Sequence, residues 1–542
     1  MPGRDFHTEL EQWLRARPLL ESVLKYEILL SLLAFALLWG GLLICSGTLT
    51  SGYHLIDDWE LLMMSDSLNH FGLLSVTADN VQTDLKIRLR PWFYIQRIFT
   101  LWLLGFNMTL LSIQLLVTAV FSSVLLYMFA RTVGFGAINS LLFVFLSFLG
   151  HQTAIWWRLG AAEPVGIFWF ALGLLFMAKA VVKGNRRTLY TVLSVIGFIL
   201  ATLAKESFVV LMPVVSLAWL MLYYRNNEGG ILDTARAGAM PVLSLILICV
   251  AELALIFRTA GIGYAGVDSQ SLAIPALYGT LKNLVSAGNR NWIIILLAVL
   301  GIALLVSFRK RPQLSLLVEL ACVALVILLF SGSQVLLYAK SGINERYLVP
   351  ATLSLAFLIV YLIAKIEQLI RPYSLRLGIS VLLLFGTLGS LSLQAATAWT
   401  DAKRYAEESP PLHRALEELN ASTQNRDVVV LVADPARDYE ASIAIREYLR
   451  VLFNRTNVFV YPLWANPADS YSAFEKELGK SYEKDLDGVH FDRLADKSQV
   501  RAIFTCTLAS TDDAFRRNTP DWFHPAEFKR TEFGAFVVYS SH

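Results

Sequence analysis

The stretch ILLSLLAFALLWGGLLICSGTLTSGYHLIDDWE, residues 28–60, sets an apolar run, Ile28–Ile44, a short distance ahead of two adjacent acids, Asp57 and Asp58. A helix rises about 1.5 Å per residue, so such a run approaches the roughly 30 Å of hydrocarbon in a bilayer. Inside lipid the backbone must satisfy its own hydrogen bonds, which makes the run a helix. Comparable runs recur at Gly238–Phe257, Trp292–Ser307 and Leu314–Phe330. The whole chain of 542 residues is 56% hydrophobic and 16% charged, against about 25% charged in soluble globular proteins. This excludes an ordinary soluble enzyme and predicts a polytopic membrane protein.

Hydropathy places about eleven spans, near 28–46, 108–130, 138–156, 163–180, 188–204, 207–224, 238–257, 292–307, 314–331, 347–364 and 376–394. Basic residues orient them. With the N-terminus inside, Arg131, Lys179, Lys183, Arg186, Arg187, Arg225, Arg236, Arg309, Lys310, Arg311, Lys365, Arg371 and Arg376 all fall in cytoplasmic turns. Residues 1–27 mix apolar and charged side chains and read as a cytoplasmic segment lying along the membrane. An odd number of spans puts residues 395–542 outside. There Val428–Ala433, Val458–Tyr461 and Ala502–Cys506 read as buried strands, and Ala441–Phe453 as a helix, so the tail is expected to form a small α/β domain. The expected fold is thus membrane all-α over 28–394, with a small extracytoplasmic α/β domain. Outer loops are expected at about 47–107, 258–291 and 332–346. The first of these carries amphipathic stretches around Asp58–His70 and Lys86–Thr100. The four cysteines are scattered and suggest neither a disulfide framework nor a zinc site.

That topology gathers unusual polar residues on the outer face: Asp57 and Asp58, Arg88 and Arg90, Arg158 and Glu163, Lys205 and Glu206, and Arg346 with Tyr347. Charges so close to hydrocarbon are costly unless paired or solvated. An acid pair beside several cations suits transfer of a sugar from a polyprenyl phosphate. Arg and Lys stabilise the departing phosphate. A carboxylate takes the proton from an acceptor hydroxyl.

The residues carrying this pattern are Ile-Asp57-Asp58-Trp, Arg-Leu-Arg90-Pro91, Ala-Ala-Glu163-Pro164, Leu-Ala-Lys205-Glu206 and Glu345-Arg346-Tyr347-Leu-Val-Pro350. In order and sidedness the chain resembles the GT-C superfamily of integral-membrane glycosyltransferases. That superfamily includes protein O-mannosyltransferases, the lipid A aminoarabinose transferase and oligosaccharyltransferase subunits. The resemblance implies an inverting transferase at the outer face of a bacterial inner membrane. Its donor would be a polyprenyl-phosphate sugar, and its acceptor the hydroxyl of a cell-envelope glycan, lipid or protein. Asp57 and Asp58 would be catalytic, with Asp57 favoured as the base. Lys205, Arg346, Arg90 and Arg158 would bind donor phosphate, supported by Glu163, Glu206, Arg88 and Tyr347. A divalent cation, Mg or Mn, bridging Asp58 and the phosphate stays open as a cofactor. The chain lacks the Trp-Trp-Asp signature of the oligosaccharyltransferase catalytic subunit, which argues against asparagine as acceptor. Nucleic acid is not an expected partner.

Plainer roles compete. Asp57 and Asp58 also suit the N-cap of the next helix, and Arg88 and Arg90 suit snorkelling to headgroups. Lys205 and Glu206 suit a turn-sealing ion pair, and Trp156, Trp157 and Trp169 an interfacial belt. Glu319, inside a span, has no partner legible from sequence. Two other functions compete with the enzyme: a flippase or transporter for lipid-linked sugars, and a non-catalytic polysaccharide assembly protein. A flippase is expected to show repeated halves, and none is visible here.

Overall fold

The computed structural model describes residues 26–86, 88–182, 186–226, 231–259, 273–286, 292–308, 314–339, 345–370, 373–471, 475–476, 479–480, 482, 487–506 and 510–542. The expected surface-lying N-terminal segment, up to residue 25, and most of the second outer loop fall outside them. The helices up to the acid-rich loop and beyond are α1 (Glu27–Ser46), α2 (Asp58–Phe71), α3 (Leu73–Asp84), α4 (Pro91–Leu104) and α5 (Met108–Thr132). Next come α6 (Ala137–Phe148), α7 (Glu163–Val181), α8 (Arg187–Thr202), α9 (Met212–Asn226) and α10 (Ile231–Thr259). Then follow α11 (Ile274–Ser286), α12 (Trp292–Phe308), α13 (Leu314–Tyr338), α14 (Ala351–Leu369) and α15 (Tyr373–Ser422). The amphipathic stretches of the first loop are helical, as α2 and α4.

Among the described residues, seven helices are long and apolar enough to cross a membrane: α1, α5, α7, α10, α13, α14 and α15. The chain is a multi-pass membrane protein. The other four expected spans have helices too, but short ones: α6 has 12 residues, α8 16, α9 15 and α12 17.

Two spans differ instructively from their sequence expectation. The span expected over 138–156 stops at Phe148, because Gly150 turns the chain at φ 120°, a conformation glycine adopts without a Cβ penalty. Side chains then satisfy the orphaned carbonyls of the helix end. Gln152 Nε2 donates to Leu149 O at 2.5 Å, and Thr153 Oγ1 to Phe148 O at 2.7 Å. Trp156 and Trp157, expected in an interfacial belt, are instead buried. Trp156 packs edge-on against Phe148 and beside Trp39. The third outer loop, expected from residue 332, begins later, because α13 continues to Tyr338. Ser331 and Gln334 break the apolar run yet keep the helix, since they bond to neighbouring segments. Gln334 Nε2 donates to Ser207 O at 2.9 Å, and Ser331 and Ser354 hydroxyls lie 2.7 Å apart. Polarity marked a helix interface rather than a helix end.

The contacts gather into two compact units: Met1–Cys45, Thr77–Arg97 and Ile113–Ala402 form a helical unit, and Ser46–Val76, Ile98–Ser112 and Lys403–His542 an α/β unit. The helical unit packs through small residues where helices touch. A Cβ on Gly197 would lie 2.9 Å from Gly173 N and 3.0 Å from Trp169 O, both backbone atoms. Ser194 Oγ also donates to Gly173 O at 2.8 Å. Gly197→Ala should therefore push α7 and α8 apart, at a cost of about 1–3 kcal/mol of overpacking. Thermal unfolding in detergent reads this directly, and an unchanged melting temperature would show that the two backbones can separate freely.

The α/β unit is built on a five-stranded sheet: β1 (Val428–Ala433), β2 (Val458–Pro462), β3 (Val500–Cys506), β4 (Phe528–Phe533) and β5 (Phe536–Ser541). The strand order is β2-β1-β3-β5-β4. β1 pairs in parallel with β2 and β3, while β5 runs antiparallel to β3 and to β4. All six residues of β1 are buried, as a central parallel strand demands. Helix α16 (Tyr439–Leu452) covers one face with Ala444, Ile445, Tyr448 and Leu449. The three expected strands and the expected helix are present. The β4–β5 hairpin was not foreseen, because β4 is polar between Phe528 and Phe533 and lies on the sheet edge.

The first loop contributes to this unit's core. Leu62 of α2 is buried in the same cluster as Leu416, Val429 and Tyr448. Tyr448 donates its hydroxyl to the His54 carbonyl. The Tyr53 ring stacks on His413 at 3.9 Å and the His54 ring on Tyr405 at 3.7 Å.

Candidate active site

The two acids behave differently in the α/β unit. Asp58 is 1% exposed, and its Oδ2 accepts the His54 amide at 2.9 Å. That bond closes the 54–58 turn from which α2 starts. Tyr448 feels it: burial first, then the Asp58 charge, pushes its phenol well above the ordinary value. Asp57 is partly exposed. Its backbone sits at φ 67°, ψ −25°, and its side chain makes no cap hydrogen bond to α2. An L-residue pays for that left-handed conformation, though Asp tolerates it better than most. Strain of this kind often accompanies function. Capping therefore does not explain Asp57.

The helical unit collects the cations. Lys205 precedes the one-turn helix Glu206–Val209, and Glu163 opens α7. Lys205 Nζ lies 3.3 Å from Glu163 Oε1 and 3.9 Å from Glu206 Oε1, with Lys205 4% and Glu163 2% exposed. Arg88 Nη1 reaches Glu206 Oε1 at 4.0 Å. Burial alone would raise the Glu206 carboxyl, but Lys205, then Arg88 and Arg90, outweigh it and hold it down at about 2. Glu206 is therefore ionised throughout the physiological range.

Arg90 is fixed by a residue that sequence reasoning missed. Asp84, at the end of α3, accepts the Arg90 amide at 2.8 Å, Nε at 3.1 Å and Nη2 at 2.6 Å. Its signal was available: an acid six residues ahead of the arginine, with a break between two helices. The Trp92 amide donates to Leu203 O at 3.1 Å, which ties the start of α4 to the turn carrying Lys205. Tyr347 lies in the single 3-10 turn Glu345–Leu348. Lys205 Nζ sits 5.5 Å and the Arg346 guanidinium 5.3 Å from the Tyr347 ring centroid, within cation–π range. The structure thus brings Glu163, Lys205, Glu206, Arg88, Arg90, Arg346 and Tyr347 into one connected polar set. Arg158 lies just past the turn His151–Trp156, which packs against both Glu345–Leu348 and α7. Glu319 proves to be partnered: Lys365 Nζ lies 2.8 Å away and the Tyr361 hydroxyl 3.0 Å.

Oδ2 of Asp58 already accepts the His54 amide, and among the described residues no cluster of three or more His, Cys, Asp or Glu could hold a metal ion.

No family model matches the chain, and no curated protein matches its sequence. Solved structures do match. ArnT from Cupriavidus metallidurans bound to undecaprenyl phosphate superposes with a TM-score of 0.51 at 13% identity, covering 94% of this chain and 97% of that one. The apo state of the same ArnT gives 0.50 at 13% identity, over 94% and 98%. The chain has the GT-C fold. The match runs over both the helical unit and the α/β unit, so the fold expected from the ordered motifs is the fold found. At this identity the likeness concerns architecture, and what the site does must come from its own residues.

Proposed function

We propose that this membrane protein is an inverting glycosyltransferase that moves a sugar from a polyprenyl-phosphate donor to an acceptor hydroxyl on a cell-envelope glycan, lipid or protein. The observation that carries the reading is the cation set around Tyr347, in a chain sharing its fold with an ArnT that holds undecaprenyl phosphate. As the bond from the anomeric carbon to phosphate breaks, the electron pair stays on phosphate oxygen. Arg346, Arg90, Arg88 and Arg158 stabilise that growing charge. Lys205 already stands between two carboxylates, so it serves chiefly to hold Glu163 and Glu206 beside the arginines and adds its field to theirs. Asp57 takes the proton of the attacking hydroxyl, and Asp58 holds the loop that presents it. Attack opposite the departing phosphate inverts the anomeric centre.

The positive-inside pattern supports an extracytoplasmic site, a cytoplasmic N-terminus and residence in a bacterial inner membrane. Reconstitution with radiolabelled undecaprenyl-phosphate sugars and envelope acceptors tests the function: a new glycosidic product is expected. Movement of the lipid between leaflets without such a product would instead identify a flippase. Sidedness has its own check. Single cysteines at positions 57 and 346 should both react with an impermeant maleimide from the periplasmic side, and reaction from opposite sides would overturn the reading.

A further inference from the structure

One polar pair in the helical unit has no part in the chemistry above. Gln334 of α13 and Ser207 of the one-turn helix Glu206–Val209 are both fully buried. Gln334 Nε2 donates to the Ser207 carbonyl at 2.9 Å. A carbonyl only accepts, so this bond fixes the amide and commits its nitrogen. Gln334 Oε1 and the Ser207 hydroxyl then have no hydrogen-bond partner among the described residues. Buried polar groups are nearly always paired, and each exception calls for an explanation. The place of this pair supplies one. Ser207 follows Glu206 and is two residues past Lys205. Gln334 is one helical turn before Tyr338 on the same face of α13, and the Tyr338 ring stacks on Tyr347 at 5.2 Å. Tyr347 is the ring beside Lys205 and the Arg346 guanidinium.

We propose that Gln334 and Ser207 are specificity-determining residues that read the sugar of the donor, Gln334 Oε1 accepting from a ring hydroxyl and Ser207 Oγ donating to a ring oxygen substituent. The inference rests on the reading of this unit as the donor-binding one. With its nitrogen committed, the Gln334 amide selects a partner that carries a proton. A phosphodiester only accepts, and a polyprenyl tail has no polar hydrogen. Of the three parts of a polyprenyl-phosphate sugar, the sugar alone supplies such a donor. One helical turn is about 5.4 Å, comparable with the breadth of a monosaccharide. A phosphate held at Arg346 and Tyr347 therefore brings its sugar to the level of Gln334. A buried group of this kind discriminates well, because a ligand lacking the matching hydroxyl leaves it unpaired.

The test is equilibrium binding by the full-length protein in lipid nanodiscs, comparing undecaprenyl phosphate with its glucose, galactose, mannose and xylose conjugates. At least one conjugate should bind the wild type more tightly than the sugarless lipid. Gln334→Leu should weaken that conjugate roughly five- to tenfold, the worth of one neutral hydrogen bond, and leave undecaprenyl phosphate binding unchanged. Ser207→Ala keeps the carbonyl that holds Gln334 and should show the same pattern; it decides alone if Gln334→Leu does not fold. One mono-deoxy derivative of the conjugate should bind the wild type as weakly as the parent binds Gln334→Leu, and should be indifferent to that substitution. Full retention of the sugar preference in either variant, or an equal loss for the sugarless lipid, overturns the assignment. No preference for any conjugate in the wild type overturns sugar recognition by this pair, while binding of undecaprenyl phosphate upholds the phosphate reading. No binding of undecaprenyl phosphate overturns that reading, and this inference with it.

Discussion

Asp57→Asn is expected to reduce transfer by about 10²–10⁴-fold, the usual worth of a positioned general base, while expression and melting temperature stay near wild type. The stability expectation follows from local geometry. Asp57 makes no cap hydrogen bond to α2, and asparagine tolerates the φ of 67° about as well as aspartate. Asp58→Asn is the informative partner. Its amide oxygen can still accept the His54 amide now bonded to Oδ2 at 2.9 Å, so a modest loss is expected, traceable to the neighbouring turn. Steady-state transfer by both variants separates the roles. Activity of Asp57→Asn within tenfold of wild type, with Asp58→Asn inactive but folded, would exchange the two assignments.

Lys205→Met should cost about 3–5 kcal/mol of stability, because it removes the nearest counter-charge of a buried carboxylate. Glu163 is 2% exposed and its Oε1 faces Lys205 Nζ at 3.3 Å. Glu206 keeps Arg88 at 4.0 Å, so the burden falls on Glu163. The double variant Glu163→Gln/Lys205→Met removes both charges and should recover most of the lost stability, since replacing a whole buried pair is far milder than breaking it. Its transfer activity should remain low, because the arginines lose the added field of Lys205. Chemical or thermal unfolding in detergent measures the first effect and transfer assays the second. A double variant no more stable than Lys205→Met would show that Lys205 is held by something other than Glu163.

Some of this was legible in residues alone. Long apolar runs dictate helices in lipid, because an unpaired peptide group there has no water to fall back on. Composition along the chain was therefore enough for a polytopic α-helical protein. Short β-branched runs between polar segments likewise marked β1, β2 and β3. The order of Asp57-Asp58, Arg90-Pro91, Glu163-Pro164, Lys205-Glu206 and Arg346-Tyr347 was enough to suggest the GT-C architecture that the structural match bears out.

Only the tertiary structure decided the rest, because each remaining fact is a pairing between residues distant in sequence. Hydropathy cannot tell a lipid-facing tryptophan from Trp156, 0% exposed among Trp39 and Phe148. Nor can it tell the end of a span from Gln334, a polar residue that donates to Ser207 within the bundle. Asp57 and Asp58 are neighbours of identical chemistry, yet one is left partly exposed in a left-handed backbone and the other is buried against His54. That Lys205 meets Glu163, 42 positions away, is a pairing no local reading of its turn supplies. Asp401 met His151 across 250 residues. Sequence determines what each segment can bury; folding alone settles which buried charge faces which.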